Sequence, residues 1–272
     1  MFTTAIVRPP APNFSEGLTT VDLGPPNYGR ALKQYEAYCQ ALGRCGLTLT
    51  RLEADPLHPD STFVEDTAVC TDKCAVLTRP GAATRAGETT SIRDALTQFY
   101  PSLLSIQPPG TLDGGDVCET GNHFFIGISE RTNEDGARQL ADLVAAFGYP
   151  TSFVDIRRLD GMESVPGAVA TGSVSAGILH LKSGVSYVGD QRLVVIDALA
   201  DHPAFSKYDL VHVNDDEMYA ANCVRINDHV LVAAGYPVLD EKLRELGYQT
   251  IALEMTEFQK MDGGLSCLSL RF

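Results

Sequence analysis

Basic residues are scarce in this 272-residue chain: 21 Lys and Arg stand against 35 Asp and Glu, a net charge of −14. Such a field repels phosphate backbones and anionic lipid while drawing in small cations, so neither nucleic acid nor a membrane is an expected partner. Also missing is any apolar window near the ~18 residues of a membrane span. The opening residues, Met1 to Pro10, hold no basic stretch followed by an apolar one of the kind that directs secretion. A cytoplasmic location is the resulting expectation. The seven cysteines, odd in number and spread along the chain, do not resemble a compact disulfide framework. Cys70 and Cys74 flank a turn with no His or further Cys nearby at zinc-site spacing, so reduced thiols and no metal are expected.

What is present describes a folded α/β protein. Hydrophobic residues make up 44% and charged residues 21% of the chain, which excludes disordered and fibrous classes. Folds of this class often run to ~250 residues as one unit, and no linker divides the chain, so a single domain over 1–272 is expected.

A weak internal repeat organises the sequence. One unit reads as strand 67–70, a turn at Thr71-Asp72-Lys73, strand 74–78, helix 92–100 and strand 103–106. The same order recurs as 116–118, 123–128, helix 133–147 and 151–156. A third copy runs 183–188, 192–196 and, after a shorter connection, 210–213. A fourth runs 222–226, 230–234, helix 239–246 and 250–253. The C-terminal 265–270 supplies a first strand without its partner, and 3–7 supplies a second strand followed by helix 28–42 and strand 47–52. The two ends thus complete a fifth unit, predicting a ring closed by its terminal strands. The competing architecture is an open doubly wound sheet, in which complementary terminal strands have no reason to occur.

Each unit's first strand is preceded by a polar set: Glu65-Asp66, Asp113-Gly114-Gly115-Asp116, His180-Leu181-Lys182, Asn222, and Ser266-Cys267. Singly these are ambiguous. A cysteine in an apolar strand is usually a small hydrophobe, and Asp-Gly-Gly-Asp is a good tight turn. In a pseudosymmetric ring, however, equivalent positions face one end of the axis, so a thiol, an imidazole and carboxylates distant in sequence converge.

Five separated motifs carry a resemblance: Asp60-Ser61-Thr62-Phe63-Val64-Glu65-Asp66, Leu112-Asp113-Gly114-Gly115-Asp116, Ser129-Glu130-Arg131-Thr132-Asn133, Leu179-His180-Leu181-Lys182-Ser183, and Met261-Asp262-Gly263-Gly264-Leu265-Ser266-Cys267. In this order, and over nearly the whole chain, they resemble the dimethylarginine dimethylaminohydrolase family. That family belongs to the guanidine-modifying (pentein) superfamily of five-bladed α/β propellers. The resemblance implies hydrolysis of Nω-methylated arginines to citrulline and methylamine or dimethylamine, without metal or organic cofactor. It implies Cys267 as nucleophile, His180 as general acid and base, and Asp113 as the orienting carboxylate. It further implies Glu65 and Asp66 at the guanidinium end of the substrate, Asp60 at its polar head, Arg85 and Arg131 on its α-carboxylate, and Leu18 in a loop closing over it. Some relatives are dimers, so a homodimer stays open.

The chemistry agrees with these residue types. A guanidinium carbon is a poor electrophile, so attack on it needs a thiolate together with carboxylates that bind and polarise the cation. Arginine deiminases of the superfamily place a second guanidinium-binding aspartate two residues after the histidine, where Lys182 stands here. Alkylation removes N–H donors from the guanidinium, so losing that carboxylate fits a methylated substrate better than arginine. Two other readings compete: a guanidine or ureido hydrolase of the same fold acting on arginine or citrulline, and a non-catalytic methylarginine-binding protein. The segment between Arg131 and His180 is longer than the family spacing. Its Gly-rich part, 161–178, is expected to be an added lid, a subunit contact or a solvent-exposed insertion.

Overall fold

In the computed structural model, which describes residues 1–157, 159 and 178–272, all five expected units close as three-stranded sheets. In chain order the elements are β1 (Thr4–Val7), α1 (Tyr28–Arg44) and β2 (Thr48–Arg51); β3 (Ala68–Cys70), β4 (Ala75–Leu77), α2 (Thr89–Leu96) and β5 (Leu103–Ser105); β6 (Val117–Glu119), β7 (Phe124–Ile128), α3 (Glu134–Ala145) and β8 (Thr151–Asp155). There follow α4 (Leu181–Gly184), β9 (Val185–Gly189), β10 (Arg192–Ile196), α5 (Asp197–Ala200) and β11 (Asp209–Val213). The last are β12 (Val224–Ile226), β13 (His229–Ala233), α6 (Pro237–Glu245), β14 (Gln249–Leu253), α7 (Thr256–Gln259) and β15 (Leu270–Arg271). Every sheet joins an antiparallel pair, a hairpin in four units and the terminal strands β15 and β1 in the fifth, to a parallel third strand reached by a crossover as such pairing requires.

Local chemistry fixes these elements. The β9–β10 hairpin turns through Asp190 and Gln191, both at positive φ, which matches the right-handed twist of the flanking strands. Asn27 caps α1 by accepting the Arg30 N–H at 2.9 Å, and Asn133 caps α3 by accepting that of Gly136 at 2.8 Å, each worth about 1 kcal/mol. Along α1 the buried Ala31, Tyr35, Tyr38, Cys39 and Leu42 recur at helical spacing and form one apolar face against the sheets.

The ring closes as expected. β15 pairs antiparallel with β1, Ala5 opposite Arg271 and Ile6 opposite Leu270, while β2 runs parallel on the other side of β1. In every unit the hairpin's first strand, β3, β6, β9, β12 or β15, is the edge turned to the axis, and together they line a central cavity of about 710 Å³. No helix among the described residues is long and apolar enough to cross a membrane. The Gly-rich segment 161–178 lies outside the described residues except for its last residue, Ile178.

The first strands differ from expectation in one systematic way. Each is shortened at its start by a helical turn: 3-10 turns at Val64–Thr67, Gly114–Asp116, Asp215–Ala221 and Ser266–Leu268, and α4 in the third unit. Cys267 therefore stands on a turn and not within the strand read over 265–270. Five chains converge on the axis at this level, and a tight turn redirects each before its strand descends along the cavity.

Candidate active site

The five turns form an inner ring, and they carry the polar sets singled out in the sequence. Crowding there is severe enough to demand glycine. A Cβ on Gly115 would lie 2.7 Å from His180 Nδ1 and 2.9 Å from Asp66 Oδ1, and one on Gly264 would lie 2.5 Å from Asn222 Oδ1. Asp113, His180 and Asn222 flank their turns in extended or bridging backbone, which aims their side chains inward.

On one face of this ring a small cavity, about 30 Å³, is lined by Leu18, Asp60, Asp66, Arg85, Asp113, Arg131, His180 and Cys267, together with Phe63 and Met261. Eight of the nine residues assigned from sequence therefore meet, although they span positions 18 to 267. Asp113 Oδ2 lies 3.0 Å from His180 Nε2. Its Oδ1 accepts the Gly81 N–H at 2.8 Å, and its own N–H donates to Thr132 Oγ1. The Gly264 N–H donates to Cys267 Sγ at 3.4 Å. Asp60 accepts the Leu18 N–H at both carboxylate oxygens, 3.0 and 3.2 Å, and so fastens the loop that carries Leu18. Arg131 lines the same cavity, and among the described residues its guanidinium makes no hydrogen bond.

Electrostatics divide the thiol from the imidazole. Burial would lower the His180 pKa, but Asp66, the Asp113 hydrogen bond and Asp116 outweigh it and push it up to about 9. Burial opposes charge on Asp113 too, yet His180 and Arg85 hold its carboxyl below the usual range. Cys267 is pushed up to about 12 by burial, then by the charges of Glu65 and Asp66, against the opposing Gly264 hydrogen bond. Burial and the surrounding carboxylates thus favour the charged form of the imidazole and the neutral form of the thiol. Asp66, Asp113 and His180 offer ligand atoms within 4.8 Å of one another. The positive charge these carboxylates need is supplied by the Arg85 guanidinium and the imidazolium.

Three assignments from sequence meet a different geometry. Arg85 and Asp66, expected at opposite ends of a substrate, bind each other at 2.6 Å, and Arg85 also donates to Glu88 and the Phe63 carbonyl. Two charges buried this deeply each need a partner. Glu65 does not line the small cavity. Its Oε1 receives Lys182 Nζ at 2.6 Å and Arg271 at 3.1 Å, and its Oε2 receives the Ser266 hydroxyl at 2.6 Å, on the side of the large central cavity. Lys182, at the position read as setting selectivity, follows Glu65 to that side. Sequence reasoning assigned no role to Asn222 and Ser266, which hydrogen-bond each other twice. Their place at the head of units four and five was the signal available.

No protein-family model matches the chain. The dimethylarginine dimethylaminohydrolase of Pseudomonas aeruginosa is 40% identical over 273 residues, covering all of both chains, and that of Streptomyces coelicolor is 36% identical over 272 residues, covering 98% and 96%. A solved structure of the Pseudomonas aeruginosa protein, a cysteine-to-serine mutant complexed with citrulline, superposes with a TM-score of 0.91 over the whole of both chains. With the closed five-bladed α/β propeller and full-length identity of this order, the chain belongs to the dimethylarginine dimethylaminohydrolase family.

Proposed function

We propose that this protein is a single catalytic unit of the cytoplasm that hydrolyses Nω-methylated arginines to citrulline and dimethylamine or methylamine. The observation carrying this reading is the meeting of Cys267, His180, Asp113 and Asp66 in one cavity. Arg131 and Asp60 in the same cavity suit the α-carboxylate and α-ammonium of an amino acid. Arg85 joins Arg131 on the carboxylate once the substrate's guanidinium has taken its place on Asp66.

Substrate binding starts the chemistry. A cation beside the thiol, added to the imidazolium, offsets Glu65 and Asp66 and brings the Cys267 pKa down from about 12, so the thiol loses its proton to solvent. The Cys267 thiolate then attacks the guanidinium carbon. His180 gives its proton to the departing alkylamine as the C–N bond breaks, leaving a covalent thiouronium. The now neutral His180 takes a proton from water, whose oxygen attacks the same carbon. The second adduct collapses as the C–S bond breaks and its hydroxyl proton passes to the departing sulfur, releasing citrulline and the Cys267 thiol. Asp113 keeps the ring of His180 oriented and stabilises it when charged.

Incubation with asymmetric dimethylarginine, monomethylarginine, arginine and citrulline side by side tests the reading. Citrulline should form from the two methylated substrates, with a cysteine adduct at Cys267 trapped by acid quench. No turnover of either at millimolar concentration refutes it.

A further inference from the structure

Beneath the small cavity the His180 and Cys267 segments are joined by a hydrogen-bonded bridge of four residues, none of which lines that cavity. Lys182 stands two residues after His180, and Ser266 immediately precedes Cys267. Asn222 links them directly: its Nδ2 donates to the Lys182 carbonyl at 2.9 Å and to Ser266 Oγ at 3.0 Å, and its Oδ1 accepts the Ser266 N–H at 2.9 Å. Glu65 links them again, through Lys182 Nζ on one oxygen and the Ser266 hydroxyl on the other, both at 2.6 Å. Arg271 steadies this second leg by donating to Glu65 Oε1 and to the Ser266 carbonyl.

We infer that Asn222, Ser266, Glu65 and Lys182 are positioning residues, a two-legged tie that fixes the Cys267 segment against the His180 segment. The inference deepens the hydrolase reading and rests on it. The two reacting groups come from blades separated by the one that bears Asn222. Without a tie, their spacing would depend on the packing of the rim, some 10 Å and more away. A displacement of ~1 Å between nucleophile and acid is enough to cost ~10²-fold in rate. Buried polar groups with all partners present have few alternative arrangements, which makes this bridge stiffer than apolar packing of the same size. All the donors and acceptors of Asn222 and Glu65 that face the ring are used in it.

The test is steady-state kinetics on the full chain with asymmetric dimethylarginine, for Asn222→Ala, Ser266→Ala and Lys182→Met, with thermal melting as a fold check. Asn222→Ala and Ser266→Ala should lower kcat at least tenfold and leave KM within about threefold, since substrate contacts lie on the other face. Lys182→Met, which cuts only the Glu65 leg, should lower kcat less than either. Should Asn222→Ala fail to fold, the comparison of Ser266→Ala with Lys182→Met carries the same ordering. Values of kcat within threefold of the unaltered chain in both Asn222→Ala and Ser266→Ala, or a rise in KM at constant kcat, overturn the tie. If the unaltered chain forms no citrulline, the hydrolase reading falls by itself, and the tie is judged on alkylation of Cys267 by iodoacetamide. His180→Gly should then slow alkylation at least tenfold in the intact chain and less than threefold in Asn222→Ala. An equal effect in both backgrounds overturns it.

Discussion

The two cavities on either side of the inner ring are built from the same five units, yet they differ in nearly every physical respect. The small one, about 30 Å³, is lined from loops and helical turns between positions 18 and 267, and it brings the Arg85–Asp66 and His180–Asp113 pairs together with Cys267. The large one, about 710 Å³, is walled by the first strands, and there Glu65 pairs with Lys182 and Arg271. Pseudosymmetry alone therefore does not make a reactive site. What sets the small cavity apart is its composition: an imidazole whose charged form is favoured, a thiol whose neutral form is favoured, and the Arg131 side chain line one space.

Substitutions on the two sides should separate cleanly. Cys267→Ser and His180→Gly should each reduce citrulline formation by ~10³-fold or more without unfolding the chain, as loss of a nucleophile or of acid–base catalysis demands. Residual turnover within tenfold of the intact chain in either would erase the distinction. Replacing Asp113 by Asn should cost ~10²–10³-fold in kcat, because the imidazole loses the carboxylate that orients it and raises its pKa. The alkaline limb of the kcat–pH profile should then move below the value near 9 expected for the intact chain.

Arg131→Gln removes the contact proposed for the α-carboxylate and should raise KM by ~10-fold while changing kcat little, which a substrate series lacking the α-carboxylate would sharpen. The smallest effect belongs to the far side. Burial and then Asp72 push Glu119 up to about 7 from its usual 4.5, and it lines the large cavity. A carboxyl whose pKa is raised by folding stabilises the native state below the unfolded value and loses that contribution as pH climbs through the folded one. Glu119→Gln should therefore leave kcat within twofold yet raise Tm by roughly 2–4 °C above pH 7, the gain vanishing near pH 4.5. An effect on kcat as large as that of Arg131→Gln would merge the two faces.

The ring and the converging residues were legible in the sequence for the same reason: the strand, turn, strand, helix, strand order repeats, so the place of a residue in its unit fixes its height on the axis. Cys267, His180 and Asp113 were singled out through that place and through their motifs, and they line one cavity. The helical turns were not, because three or four residues such as Ser266 to Leu268 are too short to show a 3.6-residue period and read instead as the start of a strand. Partner choice was hidden as well. Whether Glu65 turns to the substrate side or to Lys182, and whether Arg85 holds Asp66, depends on side chains from three different units, and no local pattern encodes it. Asn222 was singled out at the head of its unit but given no role, because an uncharged amide outside any motif does not reveal the three hydrogen bonds it makes at the axis.

The turns at the head of the five hairpins amount to five seats around one table, occupied by Asp66, Asp113, His180, Asn222 and Cys267. Because each seat belongs to its own blade, its occupant is exchangeable without redrawing the backbone of the other four. New chemistry on such a scaffold calls for a change of guest and not of furniture.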